Sequence, residues 1–255
     1  VRNFPFDFTG LGFSHVLHVA TPSVAPEDLY PPLELLEIIV TGTWRMLELA
    51  RRCGARRFLL TSSGAIYGRQ PPETTHLDED HPGAPHLLDP GSAYAQGKRL
   101  AEHLCSQYHR HHGLHCTIAR GFAFVGPHLP LDAHYAIGNF LRDGLAGGPV
   151  VVQGDGTPYR SYLHAADLAA WLWTILLRGR PCRPYNVGSE DGLPLAEVAG
   201  RVAACCSTEV IIRRAPAPVQ PPAGRRAATA RRGWDRAWRC SPASALLRVP
   251  GAGTV

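Results

Sequence analysis

Short runs of consecutive apolar residues alternate along the chain with stretches in which apolar residues recur every three or four positions. "HVLHVA" (15–20) reads as a buried strand, and "LELLEIIVTGTWRMLELARRCG" (33–54) as a long helix closed by Gly54. "RFLLTSS" (57–63) is a second buried strand. A loop rich in Pro, His and Asp then leads to a helix over 92–112 with Ser92 at its N-cap, and "HCTIARGF" (115–122) is a third strand. Strands of continuous rather than alternating hydrophobicity, separated by helices, predict an α/β fold whose doubly wound parallel sheet is covered on both faces. Beyond Gly126 the rhythm loosens. Helices near 134–146, 164–178 and 194–206, with strands at 149–154, 185–188 and 209–214, predict a smaller α+β lobe. The expected organisation is a sheet region over 1–127, a lobe over 128–212 with some strands returning to the sheet, and a tail over 213–255.

Charge changes this picture only at the end of the chain. The formal net charge is +5, but from Arg213 to Val255 nine arginines face one acid, Asp235, while residues 1–212 hold 17 Lys and Arg against 20 Asp and Glu. The tail is also rich in Ala, Pro and Gly, a composition that predicts poor packing, and nothing positions its arginines on a nucleic acid. Seven scattered cysteines without a CxxC pair predict free thiols in a reducing compartment. The most apolar stretch, "LAAWLWTILL" (168–177), is too short to cross a bilayer, so no membrane partner is expected. No basic-then-apolar leader opens the chain, which makes a cytoplasmic location the expectation.

The candidate chemistry lies at 59–63 and 92–98. Tyr94 and Lys98 are four apart on one helix and share a face, and an ammonium beside a phenol favours the phenolate. Thr61, Ser62 and Ser63 end a buried strand, and in a parallel sheet the carboxyl ends of strands form the active edge. A hydroxyl there, followed by Tyr-x3-Lys on the next helix, resembles the short-chain dehydrogenase/reductase superfamily, in its extended branch of nucleotide-sugar epimerases and dehydratases. "FSHVLHVATPS" (13–23), "VTGTWRMLELARRCGARRFLLTSS" (40–63), "IARGFAFVGP" (118–127), "IGNFLRDGLAGGPVVVQGDGTPYRSYLHAADLAAW" (137–171) and "YNVGSEDGLPLAEVA" (185–199) match it in order.

The resemblance implies a partial Rossmann-like sheet, NAD as cofactor and a nucleotide sugar as substrate. Ser63, Tyr94 and Lys98 take the catalytic positions. Val19, Ala20, Thr21, Thr61, Ser62 and Phe122, together with Tyr94 and Lys98, take cofactor positions. Ser63, Asn139 and Arg160 take substrate positions. Tyr94 as phenolate removes a sugar hydroxyl proton while hydride passes to NAD, giving a transient ketone. Where resembling 4,6-dehydratases carry Asp-Glu after the catalytic hydroxyl, this chain has Gly64 and Ala65, which favours epimerase or simple reductase chemistry over dehydration. A catalytically inactive sugar-nucleotide-binding fragment is the other alternative. Ala123 and Ile39 stand where the family often has Asn. The resemblance further implies a homodimer through the helices 33–53 and 92–112.

The family's glycine fingerprint is not matched; "TGLGFSH" (9–15) precedes a strand and reads as a turn. The chain is therefore expected to start beyond the first βαβ unit and to bind NAD weakly or not at all on its own. Three other signals read as structural. The histidines of "HRHHGLH" (109–115) suit a helix end rather than a metal, Cys205 and Cys206 suit core packing, and Asp78, Glu79 and Asp80 suit a solvated loop.

Overall fold

The computed structural model describes residues 10–20, 30–71, 74, 76–133 and 135–215. Thr21 and the tail beyond residue 215 lie outside the described residues. The chain divides into two compact units. The first draws on Val1–Arg69, Glu79–Phe122 and Ala169–Val187, and the second on Gln70–Asp78, Ala123–Leu168 and Gly188–Val255.

The first unit is a four-stranded parallel sheet in the order β1-β2-β3-β7, where β1 is His15–His18, β2 Arg57–Ser63, β3 His115–Gly121 and β7 Pro184–Val187. Helix α1 (Pro32–Arg52) joins β1 to β2, and α2 (Ala93–His112) joins β2 to β3. α1 begins on a proline, carries Glu34 in its first turn and ends on Arg51 and Arg52, which suits the helix dipole at both ends. Its buried residues Leu35, Ile39, Thr43, Leu47 and Ala50 fall on one stripe, the helical period seen in the sequence. They pack with Phe58 and Leu60 of β2 and with Ala101, Cys105 and Tyr108 of α2. Fully burying each large apolar side chain contributes about 1.5–3 kcal/mol, so this stripe holds both helices on one sheet face.

α2 starts differently from the sequence expectation. Ser92 occupies the N-cap position but its side chain makes no capping bond; the Asp89 carboxylate instead accepts from Gly91 N–H at 3.0 Å in the 3-10 turn Pro90–Ser92. An aspartate three residues upstream outcompetes the serine because the chain tightens into 3-10 geometry before the α-helix begins. The helix ends at Gly113, whose left-handed φ of 68° lets its N–H reach the His109 carbonyl at 3.0 Å. His109 turns its ring to the Leu114 carbonyl and His112 leans on Tyr108, so the histidine-rich run closes the helix.

The second unit contains a three-stranded sheet β4-β6-β8 (Ala123–Val125, Tyr159–His164, Gly192–Pro194) and the parallel pair β5 and β9 (Val150–Val152, Val210–Ile212). Helices α3 (Ala136–Leu145) and α5 (Leu195–Cys205) pack on β5 around Ile137, Phe140, Val152, Val198 and Val202. Cys206 packs against this core, whereas Cys205 is exposed, contrary to the core role expected for both. Helix α4 (Ala165–Arg178) starts in this unit and continues into the first.

α1 packs tightly on α2 at Gly97, where a Cβ would stand 3.2–3.3 Å from Ile39. Glycine is a poor mid-helix residue, so its use here reflects close packing. A Gly97→Leu variant should lose about 1–3 kcal/mol of unfolding free energy by overpacking. Urea denaturation of both proteins measures this, and an Ile39→Ala change in the Gly97→Leu background should recover part of the loss.

Candidate active site

The parallel register brings the carboxyl ends of β2 and β3 level, with Ser62 opposite Arg120 and Ser63 opposite Gly121. Against this edge lies Lys98, the only lysine in a chain whose Lys and Arg total 26. It is 2 % exposed, and its ammonium donates to the Thr61 carbonyl at 2.7 Å. Lys98 Nζ stands 5.8 Å from the centre of the Tyr94 ring, one helical turn back. Thr61 in turn donates its hydroxyl to the His18 carbonyl at 3.1 Å, tying β2 to the end of β1. Burial pushes the Lys98 ammonium down to about 8, with the Glu102 carboxylate acting in the opposite direction. A lysine can be tuned in this way where an arginine stays charged.

Ser63 caps the 3-10 turn Gly64–Tyr67 by accepting from Ala65 N–H at 3.1 Å. Its own hydroxyl hydrogen has no acceptor among the described residues, and the side chain is half-buried. A Cβ on Gly64 would lie 2.6 Å from Cε1 of Phe122, so the phenyl ring fills the space a side chain would need. That ring is itself stacked on Tyr67 with centroids 6.4 Å apart. Tyr67 is fixed from three directions: its hydroxyl donates to Asn186 Oδ1 at 2.7 Å and accepts from Arg120 at 2.8 Å, and the guanidinium lies 5.0 Å over its ring. Burial pushes this phenol up to about 12, so Tyr67 is a neutral structural phenol.

Arg120 links most of these elements. It makes a bidentate pair with Glu102 of α2 at 3.1 and 2.8 Å and donates to the Glu79 carbonyl at 2.8 Å. Glu102 also accepts from Ser62 Oγ at 2.5 Å, and Glu79 accepts from the Asn186 backbone N–H at 2.9 Å. The Ser62 hydroxyl is thereby turned towards α2. Glu79 is a tie between strands rather than part of a solvated charge run, because β7 and Arg120 both use it. Phe122 follows β3, and Val19 and Ala20 follow β1, so these expected cofactor positions also fall at the carboxyl edge; Val19 and Ala20 are exposed.

In the second unit, Asn139 lies on α3 and accepts from Arg142 at 3.1 Å, while Arg160 lies on β6 opposite Leu193 of β8. Tyr162, also on β6, is raised above the usual phenol range by burial, with the Arg160 charge and a backbone bond at Ile137 acting the other way. Arg160 itself donates to the Tyr159 carbonyl at 2.8 Å. Sequence reading had singled out none of Glu102, Arg120, Tyr67 and His18, and had placed Glu79 in a solvated loop. Arg120 and Glu102 carried one usable signal, a charge inside an apolar strand and one on the Lys98 face of the helix.

Comparisons with known proteins show the family and the fold. Residues 8–188 match the model of the NAD dependent epimerase/dehydratase family, and the chain belongs to that family. It is 34% identical over 198 residues to UDP-glucuronic acid decarboxylase 6 of Arabidopsis thaliana, covering 78% of this chain and 57% of the relative. Against UDP-glucuronic acid decarboxylase 1 of Danio rerio it is 30% identical over 211 residues, covering 83% and 50%. The chain thus spans about half the length of the curated relatives it matches. Among solved structures, UDP-glucose 4-epimerase of Thermus thermophilus in complex with NAD superposes with a TM-score of 0.70 at 27% identity, covering 85% of this chain and 68% of that one. The UDP-glucose 4-epimerase of Thermotoga maritima with UDP-glucose shows the same fold at a TM-score of 0.73 and 21% identity, again covering 85% and 68%.

His18 yields a pH prediction. It is 2 % exposed, 3.4 Å from Thr43 Oγ1, and burial together with the Lys98 charge pushes its imidazole down to about 4. Between its unfolded value of 6.5 and about 4 the unfolded chain binds the proton and the folded chain does not. Stability from this group is full above the unfolded value and falls on acidification, by up to about 1.4 kcal/mol per pH unit. Urea midpoints measured across that range should fall with pH in the wild type and fall less steeply in His18→Gln.

Proposed function

We propose that this chain carries the catalytic tyrosine, lysine and serine of an enzyme that transiently oxidises a hydroxyl of a nucleotide sugar, with NAD as the acceptor. The observation that supports it most is the buried Lys98 ammonium beside Tyr94 at the carboxyl end of β2. One N–H of Lys98 is bonded among the described residues, and an ammonium has three, so donors remain for a ribose. Lys98, Tyr94 and Thr61 suit the nicotinamide-ribose end of the cofactor, with Ser62, Val19, Ala20, Thr21 and Phe122 as further wall positions on the family's pattern. When bound there, NAD accepts hydride from the sugar carbon.

The protein's own part is proton chemistry and positioning. Tyr94, as phenolate supported by Lys98, takes the hydroxyl proton; Ser63 donates its free O–H to the same oxygen and holds it in line. Tyr94 returns the proton when the ketone is reduced. Asn139 and Arg160 serve the substrate, Arg160 as a cation for the diphosphate. Among the fates of the ketone, elimination of water is disfavoured, because Gly64 and Ala65 supply no acid–base pair and Phe122 fills the space above Gly64. Return of hydride to the opposite face, an epimerase outcome, needs no further group. A second reading has a specific basis: the curated relatives are named UDP-glucuronic acid decarboxylases. A 4-keto hexuronate is a β-keto acid: its C5–C6 bond breaks as CO₂ leaves, the electron pair passes to the C4 oxygen as an enolate, C5 takes a proton from water, and the restored ketone takes back hydride at C4, so CO₂ loss itself asks for no added base. We further propose a homodimer through α1 and α2, whose surfaces expose Trp44 and Leu100.

Incubation with NAD and UDP-glucose, UDP-glucuronate or dTDP-glucose, followed by product analysis, tests the reading. Epimer formation or CO₂ release is expected, and Tyr94→Phe should lower the rate by about 10²–10⁴-fold. Full activity in Tyr94→Phe, or neither turnover nor nucleotide-sugar binding by the wild type, would overturn it. Separately, Gly64→Asp should lower the thermal midpoint, and adding Phe122→Ala should restore most of it; independent, additive effects would show that the ring does not occupy that space.

A further inference from the structure

The proposed reaction needs Lys98 as an ammonium, yet burial favours the neutral amine. No ion pair to Lys98 occurs among the described residues, and the Thr61 carbonyl accepts its one hydrogen bond. The groups around it are few. From β1 comes His18, buried and held neutral; from β2, the Thr61 carbonyl; from α1, Thr43 behind His18 and the apolar Ile39 against Gly97. On α2 itself stand Tyr94 one turn before and Glu102 one turn after, on the same face. From β3 comes Arg120, bound in bidentate fashion to Glu102.

Glu102 is thus the carboxylate placed to act on Lys98. It is nearly as buried as its partner, with side-chain exposures of 12% and 11% for Glu102 and Arg120, and its Oε1 also takes the Ser62 hydroxyl at 2.5 Å. Ser62 stands between Thr61, which binds Lys98, and Ser63. We propose that Glu102 is a positioning residue: through Ser62 and Arg120 it locks the Lys98-bearing turn of α2 to the ends of β2 and β3, and its negative charge keeps Lys98 an ammonium beside Tyr94. The inference rests on the reading of Lys98 as the cation of the reaction. Its geometric basis is separate: one carboxylate bonds the residue next to the lysine's own acceptor and lies one turn away on the lysine's own helix face.

The single lysine makes a direct test possible. In the chain labelled with ¹³C-lysine, one side-chain Cε signal reports Lys98, and its pH titration by NMR gives the ammonium's midpoint without cofactor or substrate. Glu102→Gln keeps the shape and removes the charge, so the midpoint should shift downward, on the order of half a pH unit. Glu102→Asp should recover part of that shift. Ser62→Ala leaves the Arg120 pair in place and should shift the midpoint the same way by less. Arg120→Gln leaves a bare carboxylate and should shift it upward. A merely structural role predicts the opposite sign for the first variant, because a loosened site admits water and moves any lysine up towards about 10.4. An unmoved or raised midpoint in Glu102→Gln overturns the proposal. If that variant does not fold, an unmoved or raised midpoint in Ser62→Ala does so. Because no NAD or nucleotide sugar enters the measurement, absence of both turnover and nucleotide-sugar binding would refute the proposed function and leave this result standing, and the converse also holds.

Discussion

A buried ammonium on a strand-end carbonyl, Lys98 on Thr61, is the constraint around which the first unit is arranged. Taking an ammonium out of water costs several kcal/mol even after relaxation, and a neutral carbonyl alone does not offset that. The surrounding elements respond to this cost. β1 supplies a histidine that stays neutral, so that strand adds no positive charge beside the ammonium. α2 supplies Glu102 one turn on, and β3 supplies Arg120, which holds that carboxylate in place. The apolar stripe of α1 presses α2 onto the sheet through Gly97, so the lysine side chain has little freedom to leave for solvent.

The same constraint explains the polar content of the strand ends. β2 and β3 are apolar through their middles and turn polar together, Thr61-Ser62-Ser63 beside Ala119-Arg120-Gly121. Each of these polar groups has a partner from another element: Thr61 from β1 and α2, Ser62 from α2, Arg120 from α2, the 3-10 turn and the loop at Glu79. Thr61, Ser62 and Arg120 therefore tolerate little movement, because breaking one of their bonds strands a largely buried group without a partner. Rigidity at this edge of the sheet is thus a consequence of satisfying charges there.

Local patterns in the sequence carried β1, α1, β2, α2 and β3, because each has its own apolar run or stripe. Tyr94, Lys98 and Ser63 were visible for the same reason: their spacing on one helix and one strand end is local information. β6 was not visible. Its six residues "YRSYLH" bury only Ser161 and Leu163 on one face, too few for a period of two to stand out. Glu79 and Glu102 were hidden more deeply. A glutamate in an acidic loop and one on an amphipathic helix both look like solvated surface, and only contacts 107 and 18 residues away along the chain reveal otherwise. Ser92 illustrates the reverse case, a correct position with the wrong chemistry, since the capping bond belongs to Asp89 three residues earlier.

Gly64 shows how the network and the chemistry constrain each other. Phe122 fills the space over Gly64, and it cannot swing away freely because it stacks on Tyr67. Tyr67 is held by Arg120 and Asn186, and Arg120 by Glu102. The pair that fixes the Lys98 turn therefore also fixes, at two removes, the ring that excludes a side chain beside Ser63. On the proposed reading these are linked choices. A site organised to run oxidation and re-reduction with one phenol, one ammonium and one hydroxyl has closed the position from which an added carboxylate would reach the sugar. Outcomes that need only the ketone, inversion at carbon or loss of CO₂ from a β-keto acid, ask for no side chain at that position, whereas elimination of water by a carboxylate at residue 64 would have to displace the ring. Changing the outcome would then require more than one substitution at residue 64, since the obstruction is buttressed from α2, β3 and β7 together.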